Sequence, residues 1–579
     1  MKALHNTFIT VLMMLCVTAG TDVKAQSLLR RQGTATQLTV DGKPTLLLGG
    51  ELSNSAVSSV ADVDVVIPQV AQWGLNTVLV PVYWDLMEPA QGSFDFSLVD
   101  RTIEQARENQ LKVVFLWFGV WKNSMSCYAP LWFKKNVKKY PRCMTKNGKP
   151  LEIASPFSDE VFRADSSAFT ALMHHLAEVD GSQHTVVMMQ IENEIGMLED
   201  ARDYSPTATR LFNSTLPAEL VSYLKTHERE LHPQLKEKLK EQATDIRKLN
   251  AKATWRQTFG TDLYADEIFM AYHFARYVER LAKIARKTYD MPLYVNAAMN
   301  SRGRKPGEYP SAGPLAHLID LWHCGAPSID ILAPDLYDNG YKGWVAQYKL
   351  PNNPLFIPEC RLNENTAARA LYAFGQHDAI GFCPFSIDTA SKPEGENLQR
   401  AYGLLSQLSP LLLKSQGTGR NWGVLLDKDD QEQVITDGTL CLTAKHVFTL
   451  GWDPRSRTME QWPEAGAIII KLADKEYLVA GTGVVVTFAN NSEMAATRPQ
   501  LGEDGFAQQG GGDKAPNAQD ARFTGKRVGI GYVDQVTVDA DGTLRYVRRD
   551  NGDQNHQGRH ARINMDEWKI LHVVLYEYF

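Results

Sequence analysis

VVMMQIENE, residues 186–194, is an apolar run that ends in Glu192, Asn193 and Glu194. A strand apolar on both faces is buried on both faces, the habit of a parallel sheet covered by helices. Working back from it, a helical pattern near Arg163–Val179 precedes the run, and KVVFLWF (Lys112–Phe118) precedes that helix. Further back come a helix Leu98–Asn109, the run TVLVPV (Thr77–Val82) and an amphipathic helix Ala61–Trp73. Gln37–Asp41 and Pro44–Gly50 flank the turn Gly42-Lys43 and read as a hairpin whose second arm enters the sheet. Working forward, a helix Tyr264–Tyr289 leads to strands at Leu293–Ala297, Ile329–Asp335, Leu355–Pro358 and Ala379–Phe385. VVMMQIE is thus the fourth of eight apolar strands alternating with helices, which predicts an α/β fold, a (β/α)8 TIM barrel.

The remaining segments depart from this rhythm. Residues 200–258 are rich in Lys and Glu and predict solvated helices inserted after the fourth strand. From residue 413 the texture becomes β-rich, with AIIIKL, EYLVAG and VVVTFA between Gly, Asp and Asn turns. That predicts an all-β sandwich or jelly-roll-like domain, with Gly502–Asp520 as an exposed loop. The expected domains are a signal peptide at 1–25, a catalytic barrel at 26–412 and the β domain at 413–579. Lys2, the short apolar run Phe8–Ala19 and the small residues around Ala25 make the signal, so export to periplasm or exterior is expected. No other stretch suits a membrane span.

A net charge of −6 argues against nucleic acid or an anionic membrane as the main partner and suits a neutral ligand. Six cysteines remain beyond the signal, too few for a disulfide framework, although Cys127 and Cys143 are spaced to allow one bridge. Neither CxxC nor HExxH occurs, and His174-His175 reads as structural. No metal and no cofactor are expected.

In a barrel of this kind the working side chains stand at the C-terminal ends of the strands. The fourth strand ends at Glu194 and the seventh runs through Pro358 to Glu359. Two carboxylates flanking a glycosidic bond at about 5–5.5 Å are what a retaining hydrolysis needs. Glu194 is the expected general acid/base and Glu359 the expected nucleophile. Asn193 is placed to hydrogen-bond the sugar beside the reacting carbon, and Glu192 to support from within the strand. Tyr83, Trp121, Lys122, Asn123 and Phe385 are candidate sugar contacts at other strand ends. Trp117 reads as core, and Asp335 suits either a sugar contact or a loop cap.

Asn193-Glu194 with Glu359 resembles the signature of the large clan of retaining (β/α)8 glycosidases. Val82-Tyr83-Trp84-Asp85-Leu86-Met87-Glu88-Pro89 followed by Gly92-Ser93-Phe94-Asp95-Phe96 is similar to the strand-two motif of the glycoside hydrolase family 35 β-galactosidases. Gly49-Gly50-Glu51 resembles that family's strand-one motif and Gln190–Gly196 its acid/base motif. The resemblance spans roughly residues 38–410. It implies that Tyr337 hydrogen-bonds the nucleophile. Two departures stand out: Met87 where members commonly have His, and Phe118–Asn123 where many carry a Gly-Pro-Tyr run. These features resemble a bacterial branch linked to galactose side chains of plant polysaccharides such as xyloglucan. The expectation is an exo-β-galactosidase acting on a carbohydrate with terminal β-galactose. An endo-acting glycanase on the same barrel and a non-catalytic polysaccharide-binding protein are the alternatives.

Overall fold

The structure, a computed structural model, describes residues 27–494 and 525–579. The expected signal peptide and the expected loop Gly502–Asp520 lie outside the described residues. Strands β1 (Leu47–Glu51), β2 (Thr77–Tyr83), β3 (Lys112–Lys122), β4 (Val186–Asn193), β5 (Leu293–Ala298) and β6 (Ile331–Leu336) pair in parallel in chain order. β7 comes in two pieces, Phe356–Ile357 and Glu359–Cys360, parted at Pro358, which has no N–H for a ladder. The second piece pairs with β6, setting Glu359 opposite Asp335. The first pairs with β8 (Gly381–Phe382), and β8 returns to β1. Nine hydrogen-bonded segments therefore close one eight-stranded parallel barrel, the fold expected from the strand count.

The main helix after each strand is, in turn, α1 (Val60–Ala71), α2 (Ser97–Glu108), α3 (Asp159–Val179), α4 (Leu263–Thr288), α5 (Ile319–Gly325), α6 (Tyr341–Tyr348), α7 (Thr366–His377) and α8 (Lys392–Ser415). Their starts carry local signals. The Ser59 and Ser158 side chains accept from the Asp62 and Val161 amides, and Ser391 with Glu394 forms a capping box. Upstream of β1, three short antiparallel strands (Leu28–Gln32, Ala35–Val40, Lys43–Thr45) contain the expected hairpin.

The segment after β4 holds helices Pro206–Phe212, Ala218–Thr226, Pro233–Glu241 and Trp255–Phe259. It is not merely solvated. Leu220, Leu224, Leu235, Leu239, Trp255 and Phe259 are buried in the core shared with the barrel, while Glu237 and Lys240 face out. Most of the Lys/Glu composition describes the outer face of these helices, with Lys238 the buried exception, paired with Glu241 and Asp262.

Beyond α8 lie a six-stranded and a four-stranded antiparallel sheet. The run AIIIKL belongs to the strand Ala465–Ala473, which is apolar on both sides because both are covered. Ile468 and Ile470 join the barrel core, whereas Ala467 and Ile469 join the core between the two sheets. Glycines bring α7 and this sheet together: a Cβ on Gly466 would stand 2.7 Å from Ala368 Cα. The same interface carries a bidentate pair, Arg369 Nε and Nη2 donating to Glu464 Oε2 and Oε1 at 2.8 and 2.6 Å.

Among the described residues no helix is long and apolar enough to cross a membrane. The bridge allowed by spacing is not formed: Cys127 and Cys143 are both free thiols. Their sulfurs face different groups, the Lys122 carbonyl (3.9 Å) and the Ala154 carbonyl (3.6 Å).

Candidate active site

β4 and β7 deliver their carboxylates to the barrel mouth by different local devices. Successive side chains of a straight strand alternate sides, so Asn193 and Glu194 could not both enter the mouth from one. The chain solves this with left-handed backbone at Glu192 (φ +58°) and Glu194 (φ +42°), a conformation costing about 1–3 kcal/mol at a non-glycine residue. Hydrogen bonds hold the kink. Asn296 Oδ1 accepts from the Glu194 amide at 2.9 Å. The Asn123 and Ser124 amides, just past β3, donate to the Asn193 and Glu194 carbonyls, each at 3.1 Å. Glu359 needs no kink, since it opens the second piece of β7 directly after Pro358.

Glu194, Asp335 and Glu359 each present a carboxylate oxygen, and the three oxygens lie within 4.8 Å of one another. All three residues are buried. Asn193 Nδ2 and Asn296 Nδ2 each donate to Glu359 Oε1 at 3.2 Å, and Tyr337 OH donates to Glu359 Oε2 at 2.6 Å. Asn296 Nδ2 also donates to Asp335 Oδ2 at 2.8 Å. The Asn123 side-chain amide donates to Glu194 Oε2. Three acids at this spacing are the one group among the described residues arranged to ligate a metal ion. The amide and hydroxyl donors take three of the roughly four acceptor sites of Glu359.

The electrostatics separate the carboxyls. Burial, and after it the charge of Glu359, push Glu194 up to about 7, against the opposing pull of Lys122 and a hydrogen bond with Asp335. Asp335 is held well above the usual carboxylate range by burial and then by Glu359 and Glu194. One carboxyl is thus pushed toward neutrality beside another that accepts three hydrogen bonds, an arrangement that sets two neighbouring carboxyls apart in proton affinity.

The other expected residues divide. Lys122 is buried, with its ammonium 5.2 Å from the Phe118 ring centre, and is the positive charge acting on Glu194. Phe385, half-buried, meets Tyr337 edge-on with ring centres 6.3 Å apart. Trp121 is not brought to the carboxylates. Its ring packs edge-on against Phe274 and Tyr277 of α4, on the helix side of the barrel wall. Tyr83 likewise packs against Phe118 and Tyr128, and its hydroxyl borders Val57 rather than the acids. Glu192 turns outward to Asp165 of α3, which Trp117 Nε1 and Tyr277 OH hold at 3.0 and 2.8 Å. Burial, and then Asp165, hold Glu192 well above the usual carboxylate range. Glu88 of the strand-two motif ties its own loop, accepting from Trp84 Nε1 and the Gly92 amide at 2.7 Å each.

Three residues of the site are not evident as such in the sequence. Asn296 carries only the signal of a lone amide inside the apolar strand LYVNAA. Asp335 suits two roles by its position alone. Glu51 stands out only by its motif, yet it sits fully buried at the end of β1, with Glu359, Lys122 and Glu194 as electrostatic neighbours.

Residues 60–267 match the glycoside hydrolase 42 family, described as Beta-galactosidase. The match is to family 42 and not to the family 35 that the motifs resemble, and it covers well under half of the chain. Residues 398–562 match a domain of unknown function, DUF5597. No curated protein matches the chain. Similar solved structures include the cold-adapted β-galactosidase from Rahnella sp. R3, with 15% identity and TM-score 0.43 over 64% of this chain and 57% of that one. The β-galactosidase from Bacillus circulans sp. alkalophilus gives 13% and 0.43 over 64% and 57%. That from the psychrophilic Marinomonas ef1 gives 13% and 0.38 over 63% and 60%. The chain thus spans less than two thirds of the length of each of these proteins. The family match covers the barrel from α1 to the start of α4 and includes Glu194, while Glu359 lies beyond it.

Proposed function

We propose that the protein is a retaining exo-β-galactosidase that removes terminal β-galactosyl residues from oligo- or polysaccharides, including side chains of the xyloglucan type. The observation that carries the reading is the pair Glu194 and Glu359, with carboxylate oxygens within 4.8 Å. That spacing suits a nucleophile in direct contact with the sugar; an inverting pair stands at about 6.5–9.5 Å to leave room for water.

In the first step a Glu359 oxygen attacks the anomeric carbon while Glu194 protonates the departing glycosidic oxygen. A glycosyl ester on Glu359 results. Glu194, now ionised, takes a proton from water, whose oxygen attacks the same carbon and releases Glu359. Asn193 and Tyr337 hold Glu359 through both oxygens, so little motion is needed between the steps. Exo action is supported by the burial of both acids, which suits a recess for one terminal ring. The galactose assignment leans on the motif resemblance and the family match, and the first 25 residues support export to the periplasm or beyond.

Initial rates on aryl β-galactoside, glucoside, mannoside, xyloside and arabinoside, measured with Glu359→Ala alongside, test this. Hydrolysis of the galactoside alone, abolished in the variant, is expected. Turnover of a different glycoside would move the specificity, and no turnover by the wild type would overturn the reading.

A further inference from the structure

We propose that Glu51 is a substrate-binding residue that sets sugar specificity: its two carboxylate oxygens accept hydrogen bonds from hydroxyls of the terminal ring. This deepens the glycosidase reading and rests on it.

The position of Glu51 is built in. β1 ends Gly49-Gly50-Glu51, and a Cβ on Gly49 would stand 2.5 Å from the Cys383 sulfur. One on Gly50 would lie 2.9 Å from three carbons of Ile387. The two glycines let β1 close on β8 and the turn beyond it. The Glu51 amide then donates to the Pro384 carbonyl at 2.8 Å, and Glu51 bridges to Phe385. Glu51 is thereby fixed at the rim, next to Glu359, Lys122 and Glu194.

Its side chain lacks what a structural acid has. Neither oxygen has a hydrogen-bond donor, and the residue is fully buried. The acids around it each keep at least one partnered oxygen, whereas Glu51 has none. Glu267 accepts from Tyr309 OH, the Ala312 amide and His317 at 2.7, 3.2 and 2.9 Å. Glu192 accepts from the Trp121 amide at 2.7 Å, and Asp335 from Asn296 at 2.8 Å. Its neighbour Glu359 is itself an acceptor and supplies Glu51 no donor. A buried acceptor without a donor is costly, and its retention calls for a donor that arrives later. Sugar hydroxyls are such donors, and a carboxylate can take two at once. The Lys122 ammonium beside it compensates the charge.

The test is a cycle on kcat/KM. The aryl glycoside that the wild type hydrolyses is compared with analogues lacking one hydroxyl at a time, in wild type and in Glu51→Ala. For at least one position, loss of the hydroxyl should cost the wild type about 10- to 100-fold and the variant less than about threefold. Glu51→Gln, close in shape, serves if the alanine variant does not fold, and should show the same inequality in smaller measure. Equal factors in wild type and folded variant for every hydroxyl would overturn the inference alone, placing Glu51 behind Glu359 and away from the sugar. A wild type that hydrolyses no glycoside would overturn the proposed function and this inference with it.

Discussion

Glu194→Ala should erase the alkaline limb of the rate profile on a substrate whose leaving group needs no proton. In the folded protein the Glu194 carboxyl is pushed from 4.5 up to about 7, burial contributing most and the Glu359 charge next. At about 1.4 kcal/mol per pH unit, that displacement is about 3 kcal/mol against the ionised form. The wild type should therefore lose kcat/KM by about tenfold per pH unit above about pH 7, as the acid needed for the first step is spent. The assay is kcat/KM against pH for a nitrophenyl and a dinitrophenyl β-glycoside, in wild type and variant. On the nitrophenyl substrate the variant should fall by about 10²–10⁴, the usual worth of a general acid. On the dinitrophenyl substrate, whose phenolate leaves unaided, kcat/KM should be nearly kept and should no longer fall near pH 7. An alkaline limb that survives near 7 in the variant would assign the titration to another group, Asp335 or Glu51.

The same displacement affects stability. Between pH 4.5 and about 7 the folded state keeps a proton on Glu194 that the unfolded chain has lost, so stability falls as pH rises through this window. Glu194→Gln removes the penalty and should unfold at higher denaturant at pH 8, by up to about 3 kcal/mol, with little gain at pH 4; an equal gain at both would contradict this. Tyr337→Phe loses the 2.6 Å bond to Glu359 Oε2 and should lower kcat/KM by about 10- to 100-fold with Tm almost unchanged. Asn296→Ala strips donors from Glu359 and Asp335 and the acceptor of the Glu194 amide. It should cost about 1–3 kcal/mol in denaturant unfolding as well as activity. Gly466→Ala forces a methyl to 2.7 Å from Ala368 Cα, so a cost of about 1–3 kcal/mol and a lower Tm are expected.

The barrel was legible because each of its strands is covered on both faces, so runs such as TVLVPV and VVMMQI stand out as unbroken apolar text. Pro358 marked the end of an expected strand; that β7 resumes beyond it with Glu359 follows from the pairing with Asp335, which no local pattern encodes. Glu194 and Glu359 were readable as acids closing apolar strands. By the same signal Glu51 and Asp335 qualified, but their roles depend on which donors surround them, a property of the folded mouth. Trp121 was misplaced for a related reason. It directly precedes Lys122 at the same strand end, so the two side chains leave on opposite sides, and its ring packs against α4 side chains. At a strand end, one residue decides inside from outside. The inserted helices hid their core-facing Leu residues among Lys and Glu, because composition averages over faces that the helix keeps apart.

The central claim is that Glu359 forms a covalent bond to the sugar. The most direct measurement is peptide mass mapping after incubation with an activated galactoside carrying fluorine in place of the hydroxyl next to the anomeric carbon. Such a sugar forms the ester readily and leaves it slowly. One added fluorosugar is expected on the peptide that contains Glu359, and none in Glu359→Ala. An adduct on Glu194, Asp335 or Glu51, or release of the leaving group with no adduct on any peptide, would contradict it.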